Sequence, residues 1–88
     1  MRSQTSRKFW RLFGKLPADV QARARLAYAQ WRKNPSHPSL RFKRVSQQYP
    51  LYSVRIGEHH RALGLLEGDL ITWWWIGSHD DYERMLNS

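Results

Sequence analysis

The sequence predicts an α+β domain, in which a two-helix hairpin packs on one face of a small antiparallel β-sheet and a short C-terminal helix closes the chain. Three observations carry that prediction. Apolar residues recur at helical spacing as far as Asn34-Pro35 and at every second position beyond it. Gly and Pro fall singly, at places where elements should end. The chain has 88 residues, which predicts a single domain spanning 1–88.

The elements follow in order. Phe9, Trp10, Leu12, Phe13 and Leu16 form an apolar stripe, predicting a helix from about Ser6 to Lys15. Pro17 suits the first turn of a second helix, along which Val20, Ala24, Ala27, Tyr28 and Trp31 recur until Asn34-Pro35 stops it. Gly14 to Pro17 is then the hinge of an antiparallel pair. Leu40, Phe42 and Val45 read as a short strand, Tyr52, Val54 and Ile56 as a second, and Arg61 to Leu66 as a third. Glu67-Gly68-Asp69 is a turn, and Leu70 to Ile76 is apolar on nearly every residue, as a central strand covered on both faces would be. Ser78 with Asp80 and Asp81 reads as a helix start, and Tyr82, Met85 and Leu86 supply its apolar side. Leu16, Val20, Ala24, Tyr28 and Trp31 are expected to be buried against Val54, Leu63 and parts of Trp73 to Trp75.

Composition excludes several functions. There is no cysteine, hence no disulfide scaffold, thiolate zinc site or cysteine nucleophile. A chain this short would lose most of its core to a large internal cavity, so no cofactor is expected. His37, His59, His60 and His79 lack metal-ligand spacing on a common helix, and neither a phosphate-binding glycine loop nor a nucleophile elbow is present. No run approaches the roughly 20 apolar residues of a membrane span, and no signal-peptide core opens the chain, so no membrane partner and a cytoplasmic location are expected.

Charge points to a polyanionic partner. The net charge is +8, and it is unevenly spread: residues 1–33 carry nine basic groups and one acid, residues 34–66 five and one, and residues 67–88 one and five. Within this field Arg55 is the basic residue of a strand whose alternate positions are apolar, so it leaves the core on the open face of the sheet. Gly57-Glu58-His59-His60 then delivers Arg61 at the start of the next strand, and His79 and Tyr82 arrive beyond the last one. Guanidinium groups bind phosphate through a planar fork, and imidazole or phenol groups can move protons. The same residues also read as surface cations, a helix cap and a core aromatic. Two of the three consecutive tryptophans are expected in the core, although such rings can also stack on bases. Arg55 and Arg61 are expected to project from the same side of the sheet, which requires an odd number of residues in the loop between the strands, most simply the five from Ile56 to His60.

The ordered set Leu16-Pro17, Asn34-Pro35, His37-Pro38-Ser39-Leu40, Phe42-Lys43, Tyr52-Ser53-Val54-Arg55, Arg61-Ala62-Leu63 and Trp75-Ile76-Gly77-Ser78-His79-Asp80-Asp81-Tyr82 resembles the RelE/ParE toxins of type II toxin-antitoxin systems. The resemblance covers about residues 6 to 86 and is closest to members described as cytotoxic translational repressors. It implies a small sheet with two helices on one face and a first strand reduced to Arg2 to Thr5. It also implies an mRNA endoribonuclease, acting on free or ribosome-bound message and held inactive by a cognate antitoxin with an acidic, partly disordered segment. By that resemblance Arg55 and Arg61 hold the scissile phosphate, and His79 or Tyr82 is a further catalytic residue. Lys43, Arg41, Arg44 and His60 are further RNA contacts. Ser53 stands where RelE has a second strand lysine. The ParE branch implies the alternative, a non-enzymatic inhibitor of DNA gyrase.

Overall fold

The structure, a computed structural model, describes residues 1–87. The elements are β1 (Arg2–Thr5), α1 (Arg7–Gly14), α2 (Ala18–Lys33), β2 (Lys43–Arg44), β3 (Leu51–Ile56), β4 (His60–Glu67), β5 (Leu70–Ser78) and α3 (His79–Leu86), with a single 3₁₀ turn at Pro38–Leu40. The expected α+β class is present, and the sheet has five strands in the order β1-β5-β4-β3-β2. Strands β2 to β5 form the expected antiparallel meander. The sheet as a whole is mixed, because β1 lies parallel to β5, with Arg2 opposite Leu70 and Thr5 opposite Trp73. Four residues of Arg, Ser, Gln and Thr give no apolar period, so hydropathy alone could not place this edge strand.

The helix boundaries follow local chemistry. The Ser6 hydroxyl accepts the Phe9 N–H at 3.1 Å and starts α1. Gln21 closes the hinge by donating its side-chain amide to the carbonyls of Phe13 and Leu16, both at 3.1 Å. Helix α2 ends at Lys33, where Pro35 bars continuation. Ser78 accepts the Asp81 N–H at 3.1 Å and opens α3, whose first turn carries Asp80 and Asp81 against the helix dipole.

Helices α1 and α2 cover one face of the sheet. Phe13, Ala24 and Trp31 pack there on Val54, Ile56, Ala62, Ile71, Trp73 and Ile76. Trp31 meets Trp73 edge to face at 5.4 Å and Phe42 at 5.8 Å. Two expectations for this core are corrected. Tyr28 is 44% exposed, because its phenol is drawn to the edge strand, where it shares a 2.6 Å hydrogen bond with the Ser3 hydroxyl. Leu63 lies on the opposite face, packed with Trp75 and Tyr82 under α3. Leu40 is buried in the 3₁₀ turn and not in a strand, which leaves β2 only two residues long.

The tryptophan run is split by an irregularity in the ladder. Leu63 pairs with Trp75 while the next residue, Gly64, pairs with Trp73, so Trp74 is an extra residue in β5. That one insertion reverses the parity of the strand: Trp73 faces the helices and Trp75 faces α3. Both are buried, whereas Trp74 is half-buried with the Lys8 ammonium 5.2 Å from its ring centroid. Gly64 is required at the crossing, since a Cβ there would come within 2.8 Å of both Ile71 and Trp73.

Candidate functional site

Strand pairing decides which polar side chains meet. Arg55 lies directly opposite Arg61, and Arg61 opposite Gly77, so both arginines project from the face that α3 occupies. The last paired residues of the hairpin are Ile56 and His60, which leaves a three-residue turn, Gly57-Glu58-His59. The turn is odd in length, as a shared face requires, and shorter than the five residues expected, because Ile56 and His60 pair. Lys43 pairs with Ser53, and Ser53 with Leu63, so Lys43 joins the same face. Arg44 and His60 belong to the other parity. Arg44 spends its Nε on the carbonyls of Ser46 and Tyr49, bracing its own loop. His60 sits on the helix side, where burial first, then the charges of His59 and Arg23, lower its pKa. Neither is brought to the arginine pair.

The two arginines are held and unneutralised. Arg55 Nε donates to the Gly57 carbonyl at 2.8 Å, and Arg61 Nη1 donates to the His60 carbonyl at 2.9 Å. Among the described residues neither forms a salt bridge. Burial, then the Arg55 charge, pull the Arg61 guanidinium below its ordinary pKa, and Arg41 acts in the same direction. Arg41 follows the 3₁₀ turn with φ of 45°, the only non-glycine in the left-handed region among the described residues. Like charges placed opposite one another in a sheet are destabilising. A fold that keeps them exposed to a common space, without a carboxylate between them, is set up for an anion.

Helix α3 supplies the remaining groups. The His79 N–H donates to the His59 carbonyl at 2.7 Å, which ties the helix start to the hairpin turn that carries the arginines. Its imidazole Nε2 lies 3.2 Å from Glu83 Oε1, and its ring centroid is 5.8 Å from that of Tyr82. Tyr82 is 6% exposed, packed on Leu63 and Trp75, and its hydroxyl is 3.4 Å from the buried Ser53 hydroxyl. The tyrosine is therefore part of the floor, and the His79 imidazole, with its side chain 39% exposed, is the accessible ring of the two. Gly77 completes the floor: a Cβ there would strike the Trp75 ring at 2.6 Å. Glu83 went unnoticed in the sequence, although His79 and Glu83 stand i and i+4 on one helix face. Among the described residues no group of three His, Asp or Glu side chains is placed to hold a metal ion, and no helix is long and apolar enough to cross a membrane.

The opposite face carries a second feature. Helix α1 lies over β5 and α2 over β3, and between them runs an apolar groove of about 510 Å³. Phe13, Trp31, Trp73 and Ile76 line it, and the half-exposed rings of Trp10 and Tyr28 stand at its rim. Trp10 is pinned by donating its indole N–H to the Thr5 hydroxyl at 2.7 Å, as Tyr28 is by Ser3.

Comparison with known proteins agrees with this architecture. Residues 18–84 match the model of the ParE-like toxin domain. The chain belongs to that family and is a toxin of the RelE/ParE class. Among solved structures it resembles the RelB-RelE antitoxin-toxin complex from Methanococcus jannaschii, at a TM-score of 0.74 and 16% identity over 93% of this chain and 96% of that one. It also resembles the YoeB/ParE toxin from Agrobacterium tumefaciens (TM-score 0.69, 13% identity, 90% and 99% coverage). A third is the toxin-antitoxin complex RelBE2 from Mycobacterium tuberculosis (0.65, 15%, 89% and 96%). At these identities the likeness shows the fold alone. No curated protein matches the chain by sequence.

Proposed function

We propose that this toxin is an mRNA endoribonuclease that represses translation by cleaving RNA through the ribose 2′-hydroxyl. The observation that carries the reading is the Arg55–Arg61 cross-strand pair, unneutralised and beside His79 at the start of α3. In such a reaction the 2′-oxygen bonds to the adjacent phosphorus and the P–O5′ bond breaks. One proton leaves the 2′-hydroxyl and one reaches the 5′-oxygen. Arg55 and Arg61 offset the charge that develops on the phosphorane, with Lys43 and Arg41 as outer phosphate contacts. His79 moves a proton, since an imidazole serves as acid or base near neutrality. Tyr82 supports that ring and offers its buried face to the floor.

The test is cleavage of a single-stranded oligoribonucleotide, free and as ribosome-bound message, by the full chain and by Arg61→Ala and His79→Ala. Each substitution is expected to cost on the order of 10² to 10⁴ in rate while the fold survives. A substrate with a 2′-deoxy sugar at the scissile position should resist completely. If that substrate is cut, or if His79→Ala and Tyr82→Phe both keep full cleavage, the assignment fails. The family's ParE-like description favours one second reading, inhibition of DNA gyrase without catalysis, which a supercoiling assay on the same preparations decides.

An antitoxin is the partner we infer for the apolar groove, because two of the similar solved structures are antitoxin-toxin complexes. The groove needs apolar side chains, and the first 33 residues around it carry a net charge of +8, so an acidic segment that folds on binding is the complementary form. Co-expression with the product of an adjoining reading frame should relieve toxicity.

A further inference from the structure

Glu83 stands apart from the other carboxylates of the acidic C-terminal third. Asp69 is taken by Arg2 and Asp81 by Arg84. Glu83 has one oxygen, Oε2, accepting from the Asn87 side-chain amide at 3.3 Å, and turns the other towards the cation cluster: its Oε1 is 3.2 Å from His79 Nε2, and its charge acts on Arg61. The two residues are one turn apart on α3, and the His79 backbone is fixed by its bond to His59. The imidazole therefore has the tilted Tyr82 ring beside it and the Glu83 carboxylate within ion-pair reach of Nε2, off the line of a ring N–H hydrogen bond. Nδ1 has no partner among the described residues.

We propose that Glu83 is the positioning residue of this site, holding the N–H of His79 at Nε2 and so presenting Nδ1 to the RNA as the acceptor of the 2′-hydroxyl proton. The inference rests on the nuclease reading above and assigns a direction to the proton transfer. The 2′-O–H bond breaks and its proton passes to Nδ1 as the 2′-oxygen bonds to phosphorus. The P–O5′ bond breaks, the 5′-oxygen takes a proton from water, and His79 returns its own to solvent. A carboxylate behind a catalytic imidazole selects tautomer and ring orientation in this way, and such contacts are commonly misaligned, as this one is, until substrate tightens them.

The experiment uses the full chain with Glu83→Ala, Glu83→Gln and, as a charge control on the same helix, Asp80→Ala. Single-turnover cleavage of an oligoribonucleotide is measured across RNA concentration, and the ring nitrogens of His79 are followed by ¹⁵N NMR. Glu83→Ala should lower the saturated rate about tenfold with the half-saturating RNA concentration nearly unchanged. Glu83→Gln, which keeps an acceptor oxygen, should retain more of the rate, and Asp80→Ala all of it. The neutral ring of the wild type should carry its proton on Nε2 and that of Glu83→Ala should be mixed. An effect confined to RNA affinity would make Glu83 a charge balance for Arg61 and overturn the proposal. So would an unchanged rate and tautomer in Glu83→Ala when His79→Ala is inactive. Full cleavage by His79→Ala would overturn the role of His79 and this proposal with it, whereas a wild-type chain that cuts neither free nor ribosome-bound RNA would remove the nuclease reading itself.

Discussion

The two faces of the sheet are built on opposite principles. The helix face buries Trp31, Ile71, Trp73 and Ile76 under two helices and holds the larger apolar cluster. The α3 face buries a smaller set, Leu63, Trp75 and Tyr82, under two turns of helix, and sets Lys43, Arg55 and Arg61 beside it. Apolar burial stabilises in proportion to area, whereas adjacent like charges destabilise unless an anion joins them. One face is therefore dominated by apolar burial, and the other keeps a group of like charges that folding alone does not favour. The difference teaches where a substitution should be felt as lost stability and where as lost activity.

The largest stability effect is expected on the helix face. Trp31→Ala removes a 2% exposed side chain at the junction of α2, Phe42 and Trp73 and should cost about 3 to 5 kcal/mol, measured by chemical denaturation. A loss below about 1 kcal/mol would mean that the groove side of the core is looser than its packing shows. On the other face Arg55→Ala should leave stability unchanged or slightly raised, because it relieves the repulsion with Arg61. Its binding to single-stranded RNA should weaken, with the slope against log salt falling by about 0.7. If Arg55→Ala destabilised the fold as Trp31→Ala does, the contrast between the faces would collapse.

Smaller effects sharpen the boundary. Gly77→Ala places a methyl into the Trp75 ring beside Arg61, and a cost of about 1 to 3 kcal/mol with a parallel fall in cleavage is expected, since the ring must move into the site. Tyr82→Phe removes only a 3.4 Å contact to Ser53 and should cost about 1 kcal/mol or less. The smallest effect is a pH dependence on the helix face. The His60 pKa is lowered in the folded protein, so below about pH 6.5 the unfolded chain binds this proton more readily. Its contribution therefore weakens stability as pH falls through and below that value and vanishes above it. Thermal melts of wild type and His60→Gln should converge at pH 8 and separate at pH 5, with the variant the more stable.

Much of this molecule was legible in its chain. The change of apolar period at Pro35, the helix starts near Ser6 and Ser78, the Gly68 turn and the parity of Arg55 and Arg61 are local properties, fixed within a turn of helix or a single hairpin. Such features depend on neighbours a few residues away, and sequence spacing reports them directly. The site's inventory of cations and imidazole was legible for the same reason. Its membership was not. Arg44 and His60 lie as close in sequence to the arginine pair as Lys43 does, yet one step of strand parity sends them to the other face.

What only the tertiary structure decided involves partners distant in the chain. The extra residue at Trp74 divides the tryptophans between two cores, and nothing local distinguishes Trp73 from Trp75. The polar strand β1 is ordered by hydrogen bonds to β5 nearly 70 residues away, and its Ser3 and Thr5 hold Tyr28 and Trp10 at the groove rim. Glu83 gains its place only because α3 docks where Arg61 emerges. By itself the sequence determined which side of each element is apolar and which chemistry the chain owns. Register and docking decided which of those groups share a space, because period encodes a face and leaves the identity of what covers it to long-range pairing.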